Sequence, residues 1–183
     1  MPRRKKIDRD AILDAAEHIL GESGAPCLTL DAVAERAGIS KGGLTYNFAS
    51  KEALLSALIE RETAGLRQGI EKLRAGQSGG SYPDLAALIH LLRQDREPDR
   101  RKTAKTLAAL MHSPESLQSA RDFLQWMAAK FSGNTPADRH ARLIFMAVQG
   151  VFLLNGLGLL EIPRKARNHL LQDAQAVLSG SRF

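Results

Sequence analysis

The sequence predicts an all-α protein of about nine helices. Apolar residues recur at helical spacing along most of the 183-residue chain, for example at positions 12, 15, 16, 19 and 20. Capping residues and prolines precede many of these segments at the positions where helices begin. No segment alternates between apolar and polar residues as a strand would, so a helical fold is the expectation.

The first three predicted helices are short and closely spaced. Asp8 is the predicted cap of the first, which the glycines between residues 21 and 24 terminate. Thr29 is the predicted cap of the second, and Gly38 is expected to supply a left-handed turn after it. Ser40 then caps a third helix, which buries Leu44 and Phe48 at i and i+4. Helix, sharp turn and helix are the parts of a helix-turn-helix.

The remaining helices are longer and more amphipathic. Ser50 is the predicted cap of a helix that reaches about Ala75, and Pro83 begins one that runs to about Gln94. Pro98, Pro114, Pro136 and Pro163 mark further starts. The expected organisation is a helix-turn-helix domain in residues 1–50 and a helical bundle in residues 51–183.

The third helix presents small and polar groups on its outward side, as a DNA-reading helix does. Two adjacent glycines near a helix start disfavour the helix, which indicates that something must approach the backbone closely. The predicted outward residues are Lys41, Gly42, Gly43, Thr45, Tyr46 and Asn47.

The same region resembles the N-terminal domain of the TetR/AcrR family of one-component bacterial regulators. The resemblance rests on AILDAA at residues 11–16, LTLDAVAERAGISKGGL at 28–44 and YNFASKEALL at 46–55. It implies a dimeric DNA-binding regulator without enzymatic activity. The regulator would be a repressor that binds a palindromic operator and is released by a small-molecule effector.

Carried over by position, the resemblance implies phosphate contacts from Thr29, Tyr46 and Lys51 and an approach to bases by Lys41, Gly43 and Thr45. Thr45 stands where the family usually has an aromatic residue, so a methyl or hydroxyl contact is expected there instead of stacking. The candidate DNA-binding set is Thr29, Ser40, Lys41, Gly42, Gly43, Thr45, Tyr46, Asn47 and Lys51.

The basic run Arg3, Arg4, Lys5 and Lys6 is either a minor-groove arm or a solvated tail. The formal net charge of +6 is compatible with a nucleic-acid partner. Acidic side chains nevertheless outnumber basic ones between residues 10 and 51, so attraction to DNA must come from the placement of charges and from the tail.

The second half of the chain is expected to dimerise and to bind an apolar or amphipathic effector. Residues 136–160 and 164–178 are the predicted dimer helices, because the first is too apolar to face water. Large apolar side chains with a few polar groups suggest a pocket. The candidates are Met111, His112, Phe123, Trp126, Met127, Phe145, Gln149, Phe152 and Asn155. Core packing is the alternative for each.

Other classes of function find less support in the sequence. Residues 143–160 carry no charge and reach membrane length, but Gln149 and Asn155 favour a buried bundle helix. An enzyme would need paired carboxylates, an activated nucleophile or a phosphate loop, and none is recognisable. The histidines lack metal-ligand spacing, so no metal or cofactor is predicted. The single cysteine, Cys27, is expected to be a small buried hydrophobe in a cytoplasmic protein.

Overall fold

The computed structural model describes residues 8–76, 81–94, 106 and 117–180, and eight α-helices lie within them. A 3-10 turn at Ala25–Cys27 joins the first two, and no strand occurs in these ranges. The helical prediction is confirmed, and the predicted starts at Pro98 and Pro114 lie outside the described residues. The helices are α1 Arg9–Ser23, α2 Leu30–Arg36, α3 Lys41–Asn47, α4 Lys51–Ala75, α5 Pro83–Gln94, α6 Gln118–Ala129, α7 Pro136–Gly156 and α8 Arg164–Leu178.

Side-chain caps fix the starts of the N-terminal helices, as predicted. The hydroxyl of Ser40 accepts a hydrogen bond from the backbone N–H of Gly43, and that of Ser50 accepts one from Ala53. Asp8 and Thr29 cap α1 and α2 in the same way. Each cap satisfies a backbone donor that the helix itself leaves unpaired.

Two turns depend on glycine. Gly38 has φ +66° between α2 and α3, as the turn of a helix-turn-helix requires. The first helix ends within the predicted region from Gly21 to Gly24: Gly21 remains helical, and Gly24, at φ +78°, ends the helix.

The buried apolar residues form two cores. The first joins α1, α2 and α3 to the beginning of α4, and it includes residues on both sides of position 50. The second joins the end of α4 to α5, α6, α7 and α8. The helix α4 therefore contributes to both cores: Leu54 and Leu58 pack in the first, and Ile70 packs in the second.

Two predictions about local structure are wrong. Cys27 is exposed rather than buried, because it ends the 3-10 turn at the surface. The predicted helix over residues 136–160 ends at Gly156, where the chain turns away through Gly158 at φ +71°. Among the described residues, no helix has the length and apolar character needed to cross a membrane.

Candidate nucleic-acid interface and ligand cavity

The third helix has one buried face and one open face. Leu44 and Phe48 are buried in the first core, whereas Tyr46 is 91% exposed, the most exposed of the large hydrophobic side chains described. An aromatic ring left in water gains little free energy from burial on folding, so its position favours a role in binding.

The predicted contact residues Thr29 and Ser40 act first as helix caps. Their hydroxyl oxygens accept from the N–H groups of Ala32 and Gly43, each at 3.1 Å. A capping hydroxyl still has its own proton, which it can donate to a phosphate. Their location at the starts of α2 and α3 places these donors beside the positive ends of both helices.

Two residues on the predicted outward face bond to their own helix. The hydroxyl of Thr45 donates to the carbonyl oxygen of Lys41 at 3.0 Å. Nδ2 of Asn47 donates to the carbonyl of Gly43 at 2.8 Å, and this side chain is half-buried rather than fully outward. The methyl group and lone pairs of Thr45 remain for a base contact, whereas Asn47 is largely occupied by the helix.

A glycine at position 42 has no explanation in the chain's own packing. A Cβ atom added to Gly42 would meet nothing within 4 Å. The residue is exposed on the first turn of α3. An external surface that approaches the helix backbone remains a physical reason for this glycine.

The structure adds contacts that the sequence did not indicate. Asp31 holds Nζ of Lys41 at 2.9 Å, and both side chains are exposed. The guanidinium of Arg9 stacks over the ring of Phe48, 4.9 Å from its centroid. These partners are distant in sequence, so helical periodicity could not pair them.

Most acidic side chains of α1 point toward cations of the same chain. Arg61 on α4 donates to Asp14 at 2.8 Å and to Glu17 at 2.7 Å. Arg36 donates to Glu22 at 2.9 Å. The excess of acid in this region is therefore partly neutralised internally.

Lys51 begins α4 close to the end of α3. The predicted arm at residues 3–6 lies outside the described residues.

A cavity of about 370 Å³ lies between α4, α5, α6 and α7. Four predicted pocket residues, Phe123, Phe145, Gln149 and Phe152, line it. Sequence reasoning missed the wall from α4 and α5, including Leu66, Leu88 and Leu92, although the apolar stripes of those helices were recognised. The lining is mostly apolar with a few polar groups, as small-molecule sites usually are.

Three other predicted pocket residues have different positions. The cationic groups of Arg67 and Lys130 both lie over the ring of Trp126, and Met127 is fully buried in the second core. Oδ1 of Asn155 accepts from the backbone N–H of Ile162 at 3.1 Å, so it fastens the loop after α7. None of the three is among the cavity-lining residues. Met111 and His112 lie outside the described residues.

The outer side of α7 is apolar and open to solvent. Leu143 is 67% exposed and Met146 is 61% exposed, and Leu153 and Leu154 continue the same surface. Leu170 adds an exposed apolar side chain on α8. A contiguous apolar surface of this kind marks an interaction site.

Comparison with known proteins accounts for both halves of the chain. The family model "Bacterial regulatory proteins, tetR family" matches residues 12–58. The model "Tetracyclin repressor-like, C-terminal domain" matches residues 84–179, which is more than half of the chain. The first match contains α2 and α3, and the second contains most of the cavity-lining helices.

Curated relatives include proteins named HTH-type transcriptional regulator BetI. The one from Paraburkholderia phytofirmans is 27% identical over 189 residues, covering 97% of this chain and 96% of that protein. The one from Burkholderia mallei is 32% identical over 85 residues, covering 46% of this chain. In that second case the chain spans 44% of the relative's length, which is less than half.

Solved structures share the fold along nearly the whole chain. A transcriptional regulator from Rhodococcus superposes with a TM-score of 0.71 at 22% identity, covering 93% of this chain and 95% of the other. The Thermus thermophilus repressor FadR, in complex with lauroyl-CoA, superposes with a TM-score of 0.59 at 19% identity. That match covers 93% of each chain. With a helix-turn-helix, a helical body and family models matching both, the chain belongs to the TetR family and is a DNA-binding transcriptional regulator rather than an enzyme.

Proposed function

We propose that the protein is a homodimeric repressor that binds a palindromic operator and leaves it when a small apolar or amphipathic molecule enters the cavity. The observation that carries this proposal is the open face of α3, where Tyr46 is exposed above the buried anchors Leu44 and Phe48. The anchors fix the helix to the first core, so that its free face can enter a major groove.

Contacts to DNA divide by chemistry. Tyr46, Thr29 and Lys51 supply hydroxyl and ammonium donors to phosphates, which position the protein without reading sequence. Lys41, Gly43 and the methyl group of Thr45 approach base edges. The run from Arg3 to Lys6 adds an arm in the adjacent minor groove.

The apolar surface of α7, together with α8, forms the two-fold interface. Two copies of each helix build a four-helix contact that removes Leu143 and Met146 from water. The two α3 helices then lie about 34 Å apart, so that they meet successive major grooves on one face of the duplex.

The cavity provides the effector site. Its volume of about 370 Å³ suits a small molecule, and the amide of Gln149 can orient a polar end of the ligand among apolar walls. The structural neighbour Thermus thermophilus FadR is in complex with lauroyl-CoA, which supports an apolar or amphipathic effector here.

The DNA-binding part is tested by selecting bound duplexes from a random pool and measuring affinity by fluorescence anisotropy. Tyr46→Ala removes a phosphate hydrogen bond and is expected to weaken binding about tenfold or more. Tyr82→Phe is the control, because Tyr82 donates to Asp138 in the body. Equal affinities for wild-type protein and Tyr46→Ala would contradict the proposed reading face.

The effector and repressor parts need a second assay. Hydrophobic compounds are screened by thermal shift, and each hit is titrated with and without the operator. Ligand affinity is expected to fall about 5- to 150-fold on the operator complex, since the coupling between two sites is reciprocal. A ligand that binds the free protein and the operator complex with equal affinity would contradict release by an effector. Transcription in vitro that rises on protein addition would contradict repression.

A further inference from the structure

Arg9, the first residue of α1, lies against the end of the third helix. Its guanidinium carbon is 4.9 Å from the centroid of the Phe48 ring. Phe48 is the residue that ends α3, and it is only 2% exposed, whereas Arg9 is exposed. The buried ring therefore anchors a surface cation of α1 beside the helix that is proposed to read DNA.

Arg9 differs from the other described lysine and arginine side chains of residues 8–50. Arg36 pairs with Glu22 and Lys41 pairs with Asp31, each at 2.9 Å. In the ranges that the structure describes, Arg9 contacts the Phe48 ring and forms no ion pair. An aromatic ring has no net charge, so a guanidinium that it holds keeps its full positive charge for an anion.

The two carboxylates that flank Arg9 in sequence have other contacts. Oδ1 of Asp8 accepts a hydrogen bond from the backbone N–H of Asp10 at 3.0 Å and so caps α1. Oδ1 of Asp10 is 3.9 Å from Nη1 of Arg61 on α4. These carboxylates reduce the local positive potential, but they leave the guanidinium of Arg9 available to a phosphate.

The Phe48 ring places Arg9 near the residues that are proposed to contact phosphates. Phe48 follows Tyr46 by two positions and precedes Lys51 by three, so the Cα atom of each is within about 11 Å of that of Phe48. The guanidinium over the ring is thus at the junction between α3 and α4. A duplex that meets Tyr46 and Lys51 brings its phosphate backbone to the same junction.

We propose that Arg9 binds a phosphate of the DNA backbone, and that the ring of Phe48 positions its guanidinium before DNA arrives. This inference rests on the DNA-reading face of the proposed function, to which it adds a contact from α1. The planar guanidinium can donate two parallel hydrogen bonds to one phosphate. A side chain that is already positioned loses less conformational freedom on binding. Phosphates carry no sequence information, so Arg9 should contribute equally to all duplexes.

The test measures binding of the full chain to a fluorescein-labelled duplex of random sequence by anisotropy, over a series of salt concentrations. Arg9→Ala is expected to weaken binding about tenfold and to make the slope of log affinity against log salt shallower by about 1. Arg9→Lys keeps the charge but not the planar fork, so it should retain the slope and recover only part of the affinity.

Arg67→Ala is the matched control, because the guanidinium of Arg67 also lies over an aromatic ring. Its partner is Trp126 in the helical body, at 4.7 Å from the centroid, and Arg67 is exposed like Arg9. This variant loses the same charge and the same kind of contact away from the proposed DNA interface. It should therefore keep the wild-type affinity and salt slope.

Two results would overturn the inference. One is a wild-type salt slope for Arg9→Ala, which, with a lower urea midpoint, would make Arg9 only a cover for the Phe48 ring. The other is an equal change of slope in Arg9→Ala and Arg67→Ala, which would show an effect of net charge alone. Tyr46→Ala is measured in parallel: weaker binding of that variant alone leaves the proposed function standing, whereas unchanged binding of both variants removes the proposed reading face as well.

Discussion

Lys41 and Asp31 form an ion pair beside the face proposed to read DNA. Their charged atoms are 2.9 Å apart and both side chains are more than 60% exposed. An exposed pair of this kind is worth at most about 1 kcal/mol, so DNA phosphates can compete for the lysine. The carboxylate nevertheless opposes the approach of a polyanion.

Removal of that carboxylate is expected to strengthen binding to DNA of any sequence. Asp31→Asn frees Lys41, and the slope of log affinity against log salt should become steeper by up to about 1. Asp122→Asn on α6 is the matched control, because it makes the same change of charge at an exposed site outside the proposed dimer interface. Identical slopes for the two variants would argue against a DNA-facing position for Asp31.

Lys51 is expected to act through charge alone. Lys51→Ala should weaken all duplex sequences alike and make the salt slope shallower by about 1, as the loss of one phosphate contact requires. Lys72→Ala, near the other end of α4, is the control and should leave the slope unchanged. A change in sequence preference, rather than in slope, would assign Lys51 a different role.

Single residues show where prediction from sequence ends. Leu44 and Phe48 could be assigned to the buried face because helical spacing fixes which residues share a side. The bond from Asn47 to Gly43 and the pair between Lys41 and Asp31 depend on rotamers and on the angle between helices. The exposure of Cys27 depends on the path of a 3-10 turn that no local signal specified.

Arg61 connects α1 to α4 through two short charge-assisted hydrogen bonds. Burial acts to lower the pKa of this guanidinium, but the hydrogen bonds that it donates to Glu17 and Asp14 outweigh that effect, and the pKa lies above its ordinary value. The neighbouring residue, Glu62, lines the cavity. Arg61 is thus next in sequence to a residue of the proposed effector site, and it is hydrogen-bonded to α1 in the helix-turn-helix domain.

Loss of this connection is expected to cost about 1 to 2 kcal/mol in the free energy of unfolding, since Asp14 is exposed and Glu17 is only half-buried. Arg61→Ala and Arg61→Lys are compared by urea denaturation, because lysine keeps the charge but cannot bond both carboxylates as a planar fork. Arg61→Lys should be intermediate. A variant Arg61→Ala as stable as the wild type would show that the contact is energetically neutral.

Asp138 fastens the start of α7 to Tyr82, the residue before α5. Its carboxylate accepts from the backbone N–H of Thr135 and from the hydroxyl of Tyr82, the latter at 2.8 Å. Hydrogen bonds from Thr135 and then from Tyr82 hold the pKa of Asp138 below its ordinary value of 3.8.

A carboxyl group whose pKa is lower in the folded state stabilises the fold above its unfolded pKa and loses that effect as the pH falls. The difference in melting temperature between wild type and Asp138→Asn should therefore be present at pH 6 and shrink below about pH 4. Asp122→Asn on α6 is the control. A difference that stays constant down to pH 3 would exclude ionisation of Asp138 as its cause.

Helix starts were more predictable than helix ends. Capping side chains at Thr29, Ser40, Ser50 and Thr135 are local signals, and each of them caps a helix. The end of α7 at Gly156 is tied to a bond between Asn155 and the backbone six residues beyond that glycine. A hydropathy pattern that continues through residue 160 cannot reveal a turn that a tertiary contact stabilises.

The sequence predicted the overall architecture more completely than it predicted the residues that line the cavity. Helical periodicity and the resemblance of residues 11–55 to a helix-turn-helix domain predicted the all-α fold, because both signals are local in sequence. The cavity collects side chains from four helices, and only their packing decides which residues face it. Phe145 and Gln149, which the sequence analysis grouped together, both line the cavity, whereas Met127 and Asn155 pack elsewhere.

The continuity of α4 has a consequence for how the protein unfolds. Leu54, Leu55 and Leu58 of α4 cover a side of the first core that α1 and α3 leave open. A fragment that ends at residue 50 would therefore expose apolar surface and should not fold alone. The same unbroken helix reaches Ile70 in the other core, so melting of either half removes support from the other. Calorimetry of the full chain should then record one heat-absorption peak, with a calorimetric enthalpy equal to the van't Hoff enthalpy.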